Sequence, residues 1–249
     1  MAYDALTAET LHIKGYNGDD IEAYAARPAG GASRGGVVVI HHAPGWDEWT
    51  TEVVRKFAHH GYDAISPHLY SRAGGGPEPG DMAAMMRAMG GVSDAQAMGD
   101  IEGGANWLRA LNSSNGKVGC IGFCSGGRHA YLAAALVPNM NAAVDCWGGG
   151  VIVADPANLT PARPVAPIDY TAKISAPLLG IFGNDDRNPD VDQVNKTEEE
   201  LKKQGKTYEF HRYDGAGHGF FATDRAGYRP EQAVDAWNHV WAWYEKYLA

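Results

Sequence analysis

The stretch Gly119-Cys120-Ile121-Gly122-Phe123-Cys124-Ser125-Gly126-Gly127 sets one reactive side chain, Cys124, between glycines at G-x-C-x-G spacing. It follows the strand-like Lys117-Val118 and precedes a helix-compatible run, Arg128 to Leu136. A strand that enters a helix through so tight a turn needs glycines around the exposed side chain. The turn aims that side chain at the N-terminus of the following helix, where backbone N–H groups stabilise anions. The chemistry this predicts is attack of a thiolate on a carbonyl carbon. Ser125 is the competing nucleophile, but a serine turn centred there would need glycine at 123, and Phe123 occupies that position.

Two later loops supply what a thiol nucleophile needs. The apolar run Pro177 to Phe182 leads into Gly183-Asn184-Asp185-Asp186-Arg187-Asn188-Pro189, which sets carboxylates at the C-terminal end of a strand. Asp186 is preferred to Asp185 because it completes a G-x-x-D spacing before a proline-containing turn. Tyr213-Asp214-Gly215-Ala216-Gly217-His218-Gly219 then places a histidine between glycines just after another strand. The order Cys124, Asp186, His218 is nucleophile, acid, base, as in α/β-hydrolases. In that scheme His218 accepts the thiol proton, Asp186 fixes the imidazole tautomer, and the intermediate is a thioester. A tetrahedral oxyanion would take one donor from the Ser125 N–H and a second from the loop after the first buried strand, where Ala43 is the candidate. Trp46, Phe123, Trp147 and Phe221 are candidates for an apolar substrate pocket.

The elements around these loops predict an α/β fold of the α/β-hydrolase type, a mostly parallel central sheet with helices on both faces. Thr10–Lys14 and Ile21–Ala26 flank a turn-rich segment and read as an edge hairpin. Gly36–His41 is a continuous β-branched run, as expected of a strand covered on both faces. Strands at 63–67, 117–123, 142–147, 177–183 and 207–213 alternate with helices at 48–60, 81–89, 94–111, 191–204 and 230–248. That rhythm implies parallel strands joined by right-handed crossovers. The Gly/Pro-rich segment Gly74 to Gly80 reads as a lid or an exposed loop. A chain of 249 residues with no linker or repeat is expected to form a single domain, residues 1–249.

Charge and cysteine usage narrow the partners. With 21 basic and 30 acidic residues the formal charge is −9, so nucleic acid and anionic membrane are not expected as partners. No apolar stretch has the length of a membrane span, the first 30 residues lack a signal pattern, and three cysteines make no disulfide framework. The expected location is cytoplasmic, as monomer or homodimer. The pairs His41-His42 and His59-His60 are accompanied by no C-x-x-C or H-E-x-x-H, so no metal is expected.

The chain resembles the dienelactone hydrolase family over nearly its whole length. The matching motifs are Ser66-Pro67 with Leu69-Tyr70-Ser71-Arg72, Asn115 to Gly119, Gly122 to Gly127, Gly183 to Asp186, and Gly215 to Phe220. The resemblance implies hydrolysis of small esters or lactones through a Cys-Asp-His triad without a cofactor, and carries that triad onto Cys124, Asp186 and His218. It also implies a substrate role for Arg72, as one of two arginines that hold a substrate carboxylate, and for His42, which stands where lactone-cleaving members have a glutamate. The second arginine position is Ala222. With Arg72 alone, neutral esters or lactones are expected to be preferred over carboxylate-bearing ones. Other outcomes on this scaffold are a thioesterase, acyltransferase or dehalogenase-like enzyme, or a redox-responsive thiol protein that binds small molecules without turnover.

Overall fold

A computed structural model describes residues 5–30, 34–74 and 79–249, without the side chains of 79–81 and 87. The edge hairpin forms as expected from β1 (Leu6–Lys14) and β2 (Asp20–Pro28), antiparallel and in register from Leu6↔Pro28 to Lys14↔Asp20. After it come β3 (Gly36–Ile40), α1 (Glu48–His59), β4 (Asp63–Pro67), α2 (Pro79–Ala88), α3 (Asp94–Arg109) and β5 (Val118–Phe123). The rest is α4 (Ser125–Leu136), β6 (Ala142–Cys146), β7 (Leu178–Gly183), α5 (Val191–Lys203), β8 (Tyr208–Tyr213) and α6 (Pro230–Leu248). The connection from Val151 to Ala172 stays irregular apart from short 3₁₀ turns. Residues 75–78, most of the candidate lid, lie outside the described residues.

The eight strands form one sheet in the order β1-β2-β4-β3-β5-β6-β7-β8, parallel from β4 to β8. Strands β3, β5, β6 and β7 are buried along their whole length, which is why they read as continuous apolar runs rather than alternating ones. One face packs against α3 and α4, with Ile101, Leu108, Leu132 and Val38 in a common core. The other packs against α1 and α6, where Phe57, Trp237, Val240 and Tyr244 meet Val37, Val39 and Leu179. Among the described residues no helix is long and apolar enough to cross a membrane.

This strand order decides where chemistry can sit. After β3 the chain moves outward to β4, and after β5 it moves the opposite way to β6, so the direction of winding reverses between β3 and β5. At such a switch point the loops diverge and leave a crevice at the C-terminal strand ends. The segment His41–Pro44 leaves β3 there, and Cys124 leaves β5 beside it.

Candidate active site

Cys124 caps the N-terminus of α4 with φ 56° and ψ −116°, a left-handed backbone that a side-chain-bearing residue rarely adopts. The flanking glycines make this turn possible by removing collisions. A Cβ on Gly122 would lie 1.9 Å from the Gly126 carbonyl oxygen, and one on Gly126 would lie 2.3 Å from that of Ile40. The first turn of α4 is thereby pressed onto the end of β3. The Cys124 N–H donates to the Cys146 carbonyl at 3.1 Å, tying the turn to β6 as well.

The acid and histidine loops converge on this thiol. Nδ1 of His218 lies 2.7 Å from Oδ2 of Asp186, and the other Asp186 oxygen accepts the Asn188 N–H at 2.9 Å. Asp186 is buried whereas Asp185 points to solvent, so the structure pairs the histidine with the aspartate that the loop spacing favours. Burial works against charge on both Cys124 and His218, but their mutual hydrogen bond, the Asp186 carboxylate and the backbone outweigh it. The thiol is lowered below its ordinary range and the imidazole is raised to about 10. Both changes act in the direction of a thiolate–imidazolium pair. The backbone N–H groups of Ser125 and Ala43 both contribute to lowering the thiol, so the two candidate oxyanion donors face the sulfur together.

A cavity of about 90 Å³ opens over Cys124. Its apolar wall is Trp49, Phe123 and Trp147, with Trp49 edge-on to Phe123 at 4.6 Å. Trp147 has φ 43°, a second left-handed non-glycine residue, and its ring is edge-on to His218. The polar wall is His42, His218 and Arg225. His42 Nε2 lies 2.5 Å from Asp47 Oδ2, and Asp47 also caps α1 by accepting the Thr50 N–H at 2.9 Å. Burial would raise the Asp47 carboxyl, but the hydrogen bonds from His42 and Thr50 pull it down to about 2. Arg225 Nη2 reaches within 3.4 Å of His42 Nδ1, which completes a chain from Asp47 through His42 to an arginine at the cavity mouth.

Three residues expected at the pocket lie outside the lining of this cavity. Arg72 does not line the cavity: its guanidinium is held by Asp19 at 2.7 Å, by both Asp100 oxygens at 2.8 and 3.0 Å, and by the Tyr16 carbonyl. It pins the β1–β2 turn to α3, with four of its five N–H donors used there. Trp46 turns away from the thiol and stacks on His68 at 5.1 Å. Phe221 is core, 2% exposed between Trp147 and Trp237. Three lining or supporting residues were missed from the sequence, Trp49, Asp47 and Arg225. Only Asp47 had a local signal, the D-x-x-T cap at the head of a helix.

Away from this cavity, an open groove of about 500 Å³ beside Thr7, Arg27 and Asn112 lies at the opposite strand ends and brings no nucleophile to its walls. Among the described residues the His/Cys/Asp/Glu group close enough to share a metal ion is Glu209, His211 and His239, at the outer edge of the sheet and not at the thiol.

Comparison with known proteins agrees with the geometry. The model of the dienelactone hydrolase family matches residues 21–248. A Methylorubrum extorquens protein named "Putative carboxymethylenebutenolidase" is 33% identical, over 91% of this chain and 77% of its own length. A Bradyrhizobium protein named "Probable 2-oxo-3-(5-oxofuran-2-ylidene)propanoate lactonase" is 27% identical, over 96% of this chain and 94% of its own. The crystal structure of a "Putative Dienelactone Hydrolase" from Klebsiella pneumoniae superposes with a TM-score of 0.88 at 30% identity, covering 98% of this chain and all of that one. Fold, elbow and relatives together place the chain in the dienelactone hydrolase family, a family of carboxylic ester hydrolases.

Proposed function

We propose that the protein hydrolyses small esters or lactones through Cys124, with Asp186 and His218 as its partners and a thioester as the covalent intermediate. The observation that carries this reading is the convergence on Cys124, at the N-terminus of α4, of an Asp186-bonded His218 and the backbone N–H groups of Ser125 and Ala43. The lowered thiol and the raised imidazole favour proton transfer from Cys124 to His218, a transfer that a serine nucleophile makes only during attack. The thiolate adds to the carbonyl carbon, the Ser125 and Ala43 N–H groups stabilise the oxyanion, and His218 returns its proton to the leaving alkoxide. Water, deprotonated by the now neutral imidazole, then cleaves the thioester and regenerates the pair. The free thiols suit a reducing compartment, in keeping with a cytoplasmic enzyme.

The pH dependence follows from the same pair. At low pH the thiolate is protonated and the nucleophile is lost; at high pH the imidazolium loses the proton it must give to the leaving group. kcat/KM for a neutral ester should therefore fall near pH 10. Its acid limb should lie below the ordinary thiol value of about 8.5. A profile that only begins to rise near that value would contradict a lowered thiol.

We read the substrate's charge from the cavity mouth, where the lining cation is Arg225 and not Arg72. Arg225, whose Nη2 lies near the Asp47-bonded His42, offers a guanidinium to an incoming carboxylate, and two of the relatives are named for substrates bearing that group. Anionic lactones should thus be favoured over matched neutral ones. Arg225→Ala should lower kcat/KM for a carboxylate-bearing lactone by about 10–100-fold, the usual range for a charge-assisted hydrogen bond, and the neutral analogue by less than about threefold. Equal losses on both substrates would remove Arg225 from recognition.

A further inference from the structure

We propose that His41 is a positioning residue of the oxyanion hole, holding the His42–Ala43 peptide so that the Ala43 N–H faces the reacting carbonyl. The inference rests on the reading of Cys124 as an acyl-transfer nucleophile and adds a residue to it. A trans peptide points its C=O and N–H in opposite directions, so whatever anchors the His42 carbonyl aims the Ala43 N–H. That carbonyl has two anchors, His41 Nδ1 at 2.8 Å and the Gly45 N–H at 2.9 Å.

The imidazole can donate because its tautomer is fixed from the other side. The Leu69 N–H donates to His41 Nε2 at 3.1 Å, so Nε2 carries no proton and Nδ1 must carry one. The ring is 1% exposed and packs edge-on against Tyr70 at 4.7 Å. Burial, opposed only in part by the bond to His42, lowers its pKa to about 3, so protonation does not compete with the Leu69 bond at neutral pH. Tyr70 extends the support, since its hydroxyl donates to the Ala43 carbonyl at 3.0 Å and fixes the next peptide. The loop needs this bracing because Gly45, with φ 97°, gives the segment freedom to rearrange. A flipped His42–Ala43 peptide would aim a carbonyl oxygen at the developing oxyanion and withdraw one of its two donors.

The test separates oxyanion chemistry from the thiolate itself. Ester turnover passes through an oxyanion, whereas alkylation of Cys124 by iodoacetamide is a displacement at carbon that forms none. His41→Asn keeps an amide N–H at the Nδ1 position; His41→Gln reaches the Nε2 position and serves Leu69 instead; His41→Phe keeps only the ring packing. Removing one oxyanion donor outright costs about 10²–10³ in kcat, so the Gln and Phe variants should lose about 10–100-fold in ester kcat, with alkylation within about threefold of wild type and Asn recovering to within about fivefold. If the Phe variant does not fold, the Asn and Gln pair decides. Equal kcat for Asn and Gln, or alkylation falling in step with turnover, overturns the inference while leaving the nucleophile assignment intact. Wild-type protein that turns over ester without acylating Cys124 would overturn that assignment, and this inference with it.

Discussion

Replacing Cys124 by alanine should lower kcat/KM for a small ester by at least about 10⁴-fold, because nucleophile and base act as a unit and removing either leaves only binding and the oxyanion donors. The fold should survive. The side chain removed is half-buried, the left-handed backbone at φ 56° is no worse for alanine than for cysteine, and the bond from the 124 N–H to the Cys146 carbonyl does not depend on the side chain. Without the thiolate, His218 loses one of the two partners that raise it, so its pKa should drop from about 10. Titration of the His218 ring by NMR in Cys124→Ala checks this independently of turnover. Ser125→Ala should change kcat by less than about threefold, because Ser125 contributes its backbone N–H, which alanine keeps. Loss of activity in Ser125→Ala with retention in Cys124→Ala would put the nucleophile one residue on.

The second large effect belongs to the acid. Asp186→Asn replaces an acceptor facing His218 Nδ1 with an amide that can donate, which favours the wrong imidazole tautomer and removes the charge that steadies the imidazolium. Losses of about 10²–10⁴ in kcat are expected, and the alkylation rate of Cys124 at neutral pH should fall with them because the ion pair weakens. Asp185→Asn, at an exposed position whose backbone N–H bonds the Ala216 carbonyl, should cost less than about threefold in kcat. The reverse ranking would mean that the histidine takes its partner from the other aspartate in solution.

What could be read in advance, and what could not, follows from how local each determinant is. The elbow is specified within five residues, since only glycine fits where a Cβ at 122 or 126 would strike a carbonyl oxygen. The acid and histidine loops are strand ends, and a parallel sheet brings strand ends together whatever lies between them. Asp186 was separable from Asp185 by turn spacing alone. The pocket wall is different in kind. Trp46 and Trp49 are three residues apart, yet one stacks on His68 and the other lines the cavity, because the Asp47 cap and the start of α1 turn the chain between them. Arg72 sits in a motif shared with the family and invited a substrate role. Its carboxylate partners, Asp19 and Asp100, come from distant segments and become visible only once α3 lies against the hairpin. Arg225 lies seven positions beyond His218 on a turn whose path no periodicity announces, and the cavity reveals it only through its contact with His42.

The central claim, a thiolate at Cys124 that takes up the acyl group, is tested most directly by rapid acid quench of the enzyme with p-nitrophenyl acetate, followed by peptide mass spectrometry. A burst of p-nitrophenol is expected, with an acetyl group on the peptide containing Cys124, labile to hydroxylamine at neutral pH as a thioester is. The same adduct should accumulate in a variant slowed in deacylation. Steady turnover with an unmodified Cys124 peptide, or with the acetyl group on Ser125 as a hydroxylamine-resistant ester, would contradict it.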